Sequence, residues 1–252
     1  MDSSAVSLIN PEYRSIGIDG CKGGWIVAEI LKGKLNFYKF SLLDEFVDKL
    51  SFDSCLIDMV IGLQGTDQDI RPDSLARHEM KGRASTIFPA PCRSAVYGET
   101  KEERIARNVS VLGKKFTSQT DAIIPKIREV DLFLQNNKSY MNVIEESHPE
   151  VCFARLKGSV LMSSKHTDEG IKERSEILSK YVDGVCFTDI KELSSSMKCN
   201  MDDIADAVCL AIVANLKSLD MTETIPKRPM KDETGLFMQM VVPKEGYLEK
   251  CK

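Results

Sequence analysis

Three short apolar stretches stand close together near the start of the chain: "SIGIDG", "GWIVAEI" and "KLNFYKF", all between residues 15 and 40. Glycine-containing turns separate them, and short apolar runs joined in this way fold as antiparallel strands. The chain therefore opens with a three-stranded meander. "SLLDEFVDKL" follows with helical spacing: Leu42, Leu43, Phe46, Val47 and Leu50 share one face, and Ser41 is the expected N-cap. "SCLIDMVIGL" is then nearly continuous in apolar residues, as in a strand covered on both faces. A meander, a helix and a buried strand in this order predict an α/β fold with a mixed sheet and helices packed against it.

Most of the remaining sequence has helical patterning. "DSLARHEM" and "TKEERIARNV" read as helices, while Pro89 and Pro91 hold "FPAPCR" extended between them. "SQTDAIIPKIREVDLFLQNN" predicts a longer helix, bent or started near Pro125. "MNVIEESH" reads as a short strand, and Pro149 opens a helix over "PEVCFARLKG". "TDEGIKERSEILSKYV" predicts a helix capped by Thr167 or Asp168. "NMDDIADAVCLAIVANLKSL" predicts another, capped by Asn200 or Asp202. "GLFMQMVVP" reads as a last strand, and the polar "TETIPKRPMKDETG" as a mobile loop. The 252 residues fit one domain, with a largely helical insertion over about residues 67–140.

A formal net charge of -4 gives no general attraction to a polyanion, so nucleic-acid binding requires a local basic patch. Residues 1–15 have neither the basic start nor the apolar core of a secretion signal. No apolar run approaches the ~20 residues that span a bilayer. The expected location is cytoplasmic, away from membranes. The eight cysteines contain no CxxC pair, and those at 55, 92, 152, 186 and 209 sit in apolar runs, which predicts small buried thiols in place of disulfides or a zinc site. Nothing in the sequence addresses oligomeric state.

A few acids stand apart from the solvated majority because apolar residues surround them. Asp19 follows "IGI", Asp58 interrupts "CLIDMVIGL", Glu146 ends "NVIEE", and Asp203 and Asp206 lie three apart on one side of a helix. A carboxylate in an apolar strand is costly unless paired or bound to a metal. Several converging carboxylates repel one another, and a divalent cation such as Mg²⁺ or Mn²⁺, with its preference for hard oxygen ligands, offsets that repulsion. Each acid also has a plainer role open to it. Asp203 and Asp206 suit the first turns of a helix, Asp58 can bond a neighbouring turn, and Asp19 suits the turn itself. Glu145 and Glu146 are adjacent, so a strand presents only one of them to a given face.

"GIDGCKGGW", "IDMVIGL", "GRASTIFPAPCR", "KIREVD", "EESHPEVCF" and "DDIADA" occur in this order. Together they resemble an uncharacterised family of predicted nucleases with a ribonuclease H-like fold, over about residues 15–217. The chain departs from that family's usual proline at Val60. The resemblance implies a metal-dependent nuclease or phosphodiesterase in which two ions, Mg²⁺ or Mn²⁺, act on a phosphodiester. Its catalytic carboxylates would be Asp19, Asp58, Glu146, Asp203 and Asp206, with Asp19, Asp58, Asp203 and Asp206 as metal ligands. Lys22, Arg83, Arg93, Lys126, Arg128 and Lys165 lie in or near these motifs and become candidates for binding substrate, either nucleic acid or a small phosphorylated molecule. His148 is a candidate general acid or substrate contact.

Two other functions fit the sequence. "IDGCKGG" resembles the phosphate-cradling hairpin of actin-like kinases, whose bare backbone N–H groups approach phosphate oxygens, so an ATP-dependent phosphotransferase is one alternative. A ligand-binding protein that uses the acids structurally is the other.

Overall fold

The computed structural model describes residues 8–246; Cys251 and residues 1–7 lie outside them. The meander forms as expected: β1 (Ser15–Cys21), β2 (Gly24–Leu31) and β3 (Lys34–Phe40), followed by α1 (Leu43–Val47) and β4 (Ser54–Ile57). Four helices come next: α2 (Pro72–Glu79), α3 (Arg93–Val96), α4 (Lys101–Leu112) and α5 (Ser118–Asn136). Then come β5 (Ile144–Glu146), α6 (Pro149–Lys157), α7 (Asp168–Leu178), α8 (Phe187–Met197), α9 (Met201–Leu216) and the strands β6 (Thr222–Lys231) and β7 (Phe237–Pro243). One sheet has the order β3-β2-β1-β4-β5. Its meander pairs are antiparallel, and β1–β4 and β4–β5 are parallel. The protein thus has an α/β fold with a mixed five-stranded sheet, consistent with the ribonuclease H-like class.

Alternation along the strands divides the core between the two faces of the sheet. Ile26, Ala28, Ile30 and Leu56 pack with residues of α6, α7 and α9. Ile16, Ile18, Trp25, Val27, Cys55 and Ile57 pack on the other face with Leu43 and Phe46 of α1 and with Ile124, Ile127, Val130 and Leu134 of α5. Every residue of α9 after Met201 is buried, and an all-round buried helix belongs at the centre of a fold. Gly17 allows α9 to lie directly on β1. A Cβ there would stand 2.1 Å from the Ala207 carbonyl oxygen and 2.3 Å from the Ala211 nitrogen.

Several local expectations hold. Thr167 caps α7, Asn200 caps α9, and Pro149 stands at the first position of α6. Others are corrected. Ser41 does not cap α1, which starts after Leu42; the Leu43 N–H instead donates to Glu129, 3.0 Å away. Helix α5 starts after its Thr117 cap and runs through Pro125. The polar stretch expected to be a mobile loop contains β6, paired antiparallel with β7. Its register shifts between Ile225 and Met230, so Pro226 and Pro229, which lack an N–H, fall where no ladder bond is required. Cys186 is exposed at the start of α8, whereas Cys55, Cys92, Cys152 and Cys209 are buried as expected.

The Gly17 contact predicts a large effect for a small change. Gly17→Ala drives a methyl group into the backbone of α9 and should destabilise the protein by about 3 kcal/mol, read from urea unfolding. An unchanged midpoint would contradict the close packing of α9 on β1.

Candidate metal centre

Strand parity carries two of the predicted acids to the same place. Asp19 shares its face with Gly17, and Asp58 follows Leu56 on that same face. Ile18 and Ile57 are partners in the parallel β1–β4 pair, and the Asp58 N–H donates to the Ile18 carbonyl at 2.9 Å. Both acids therefore stand at adjacent strand ends, Asp58 one residue beyond the last residue of β4. The close seating of α9 brings Asp206, which precedes Ala207, against them. One oxygen from each of Asp19, Asp58 and Asp206 lies within 4.8 Å of the others. Asp206 is fully buried, Asp19 is buried and Asp58 is half-buried.

Burial, followed by the charges of Asp58 and Asp206, pushes the Asp19 carboxyl well above the usual range. Burial also raises Asp58, although His148 and Lys165 oppose the shift. Lys165, in the loop before α7, places its ammonium 2.6 Å from Asp206 Oδ2. Burial works against its charge, but Asp206, Asp19 and Asp58 outweigh that and raise its pKa. Gly170 holds this loop close, because a Cβ there would meet the Ser164 carbonyl oxygen at 1.9 Å. Asp206 Oδ1 is buried without a hydrogen-bond partner. Three hard oxygen donors, mutual repulsion and an unused buried oxygen are what a divalent cation requires, so the triad could hold one.

Asp203 and Glu146 are not part of this triad. Asp203 completes a capping box: its Oδ2 accepts the Asn200 N–H at 2.8 Å, and the Asn200 side chain accepts the Asp203 N–H. Glu146 pairs with Ile57 across the sheet, so it leaves on the opposite face from Asp19 and Asp58. There Arg71 Nη2 donates to both its oxygens, at 2.6 and 2.9 Å, and the Ile61 N–H donates at 2.8 Å. Burial pushes Glu146 up to about 7 even though Arg71 opposes it. Its neighbour Glu145 pairs with Lys217.

A cleft of about 660 Å³ opens beside the triad, lined by Asp19 and Asp58 and by Glu146 from the other side. Four of the predicted cationic candidates reach it: Arg83, Lys126, His148 and Lys165. Lys126 lies 3.9 Å over the Trp25 ring and donates to the Gly24 carbonyl at 2.5 Å. Lys22 is exposed in the β1–β2 turn and does not line the cleft. Arg93 is held by Asp131 at 2.7 Å and Asp232 at 2.5 Å, and Arg128 by the carbonyls of Val96 and Gly98, so both serve packing.

The sequence profile of the family described as Protein of unknown function (DUF429) matches residues 17–231. The chain belongs to that family. The DUF429 match spans β1 to β6 and so contains all three acids of the triad and the cleft around them, except Met240. No curated protein and no solved structure gives a significant match.

Sequence reasoning missed Arg71, Asp73 and Glu150, which also line the cleft. Arg71 and Asp73 are bonded at 2.9 Å, and Arg174 holds Glu150 at 2.5 Å. Glu150 follows the Pro149 that opens α6, where an acid reads as an ordinary first-turn residue. Its burial was invisible because its partner Arg174 lies 24 residues away.

The raised carboxyls give a signed prediction. With Asp19 and Asp58 above their unfolded values, the folded state holds extra protons, so stability falls as pH rises from about 4 through the raised values. Asp19→Asn should flatten this fall and melt above the wild type near neutral pH in chelator. Mn²⁺ at about 100 times its Kd should then stabilise the wild type by about 2.7 kcal/mol and the variant far less. Identical pH profiles and identical Mn²⁺ responses would contradict the triad.

Proposed function

We propose that the protein is a metal-dependent phosphodiester hydrolase of nuclease type, with Asp19, Asp58 and Asp206 holding Mg²⁺ or Mn²⁺. The observation that supports this reading most strongly is the meeting of three carboxylate oxygens within 4.8 Å, two of them from residues that line a cleft. When bound, the cation would supply Lewis acidity, lowering the pKa of water and neutralising phosphate oxygens. The two-ion arrangement implied by the family resemblance would require Asp203 to give up its cap, so the present geometry favours one ion.

The residues of this chain then have defined tasks. Water oxygen bonds to phosphorus and loses a proton to solvent, while the bond from phosphorus to the leaving alcohol oxygen breaks and that oxygen gains a proton. His148, a residue that lines the cleft, would donate it. Lys165 balances the acids, and a cation held by them would take over that role at Asp206. Arg83 and Lys126 attract the phosphate.

The kinase alternative has less support: Lys22, Gly23 and Gly24 do not line the cleft, and the described residues form one five-stranded and one two-stranded sheet. In a Mn²⁺-dependent screen over branched DNA, RNA, single strands and small phosphodiesters, Asp58→Asn should reduce turnover by more than the ~100-fold typical of outer contacts to a metal site. Turnover that survives the substitution, or that needs no divalent cation, would overturn the assignment.

A further inference from the structure

The cleft continues beyond the three carboxylates, and there it is lined differently. Ile87 and Phe88 follow the short 3-10 turn Ala84–Thr86, and with Ile123 and Pro125 of α5 they give the cleft an apolar wall. Phe88 is 38% exposed, an aromatic ring open to whatever enters. The segment carrying it is anchored: Asp73 accepts the Ala90 N–H at 3.2 Å, and Arg77 donates to the Ile87 carbonyl.

Residues that line the same cleft carry buried polar atoms with unmet needs. Glu150 is only 4% exposed, and the fully buried Arg174 occupies its Oε1 with two bonds, at 3.1 and 2.5 Å. Glu150 Oε2 has no hydrogen-bond partner; Arg83 Nη2 stands 3.9 Å away, beyond hydrogen-bonding reach. Arg83 Nε and His148 Nδ1 are likewise unpartnered. Buried polar atoms are rarely left so, and among the described residues three of the seven such atoms belong to residues lining this cleft.

We propose that the cleft binds a nucleoside monophosphate unit. The phosphate faces the acid triad and Arg83, a sugar hydroxyl or base amino group donates to Glu150 Oε2, and the base lies on Phe88, Ile87 and Ile123. Placing the phosphate this way rests on the hydrolase reading above. A volume of about 660 Å³ suits a ligand of this size. A long polymer needs a basic track leading past the cleft, and three of the cationic candidates do not contribute to one: Lys22 is off the cleft, and Arg93 and Arg128 are held by internal partners. The proposed substrate is therefore a small nucleotide phosphodiester in preference to a long polymer.

Calorimetric titration with AMP, with and without Mg²⁺, tests this beside a short single strand and a duplex. AMP should bind, and Phe88→Ala should weaken it about tenfold, the scale of one lost base–aromatic contact. Glu150→Gln keeps an acceptor for Arg174 but turns an N–H toward the ligand, and should weaken AMP as much. Where that variant folds poorly, Arg83→Ala takes its place. Mn²⁺ binding, followed by electron paramagnetic resonance, separates the two claims. AMP bound with these sensitivities while Mn²⁺ is ignored upholds the nucleotide site and sinks the hydrolase reading. Mn²⁺ bound with no AMP affinity, or either strand bound more tightly than AMP, overturns the nucleotide site.

Discussion

At Gly17 the backbone of β1 lies so close to α9 that a methyl group would stand 2.1 Å from the Ala207 carbonyl oxygen. Small residues on the helix, Ala207 and Ala211, make the approach possible from the other side. Asp206 sits one residue before Ala207, so the depth of this contact sets the distance from its carboxylate to Asp19 and Asp58. Cores are packed as densely as organic crystals and do not yield continuously, which makes such a contact a rigid spacer. The same contact that closes the hydrophobic core therefore brings three like charges together. Folding and site assembly are one event.

The acids at the cleft fall into two kinds. Asp73, Glu146 and Glu150 each have a buried arginine, Arg71 or Arg174, directly bonded to them. Such pairs gain little net stability, but losing one partner leaves a buried charge uncompensated, so they fix the walls. Arg71 also donates to the Ile61 and Gly62 carbonyls, tying the chain after β4 to β5 through Glu146. Asp19, Asp58 and Asp206 have no arginine. Among the described residues Lys165 bonds to one of them, Asp206, from a loop 41 residues away in sequence, and His148 acts on Asp58 through its charge without a bond. The walls are electrostatically closed by paired arginines, whereas the triad is offset by the Lys165 ammonium and the nearby His148.

Much of this was legible from the sequence, for physical reasons. Short apolar runs between glycine turns gave away the meander, and an aspartate beside "IGI" or inside "CLIDMVIGL" stood out because burying it is costly. The strand in "TETIPKRPMK" was hidden because its two prolines and polar surface mimic a loop; its partner β7 and the register shift accommodate both. Glu146 drew notice for the right reason, since it is buried, but strand parity sends it to the face where Arg71 waits. Asp203 and Asp206 looked equivalent at i and i+3, and only the capping box separates them. Arg83, Lys126, His148 and Lys165 reach the cleft, whereas Lys22, Arg93 and Arg128 do not, and no local pattern distinguishes a cation held by distant partners from one left free. Glu150 and Arg174 show the same limit, because each is explained only by the other.

The central claim is that α9, seated on Gly17, completes a cation site from Asp19, Asp58 and Asp206. Anomalous diffraction from crystals grown with Mn²⁺ addresses it most directly. The account predicts a Mn²⁺ peak among the three carboxylates, bonded to Asp206 Oδ1, with the Lys165 ammonium displaced from Asp206. Crystals in which Lys165 keeps its bond to Asp206 and Mn²⁺ is absent from the triad, or bound elsewhere, would contradict it.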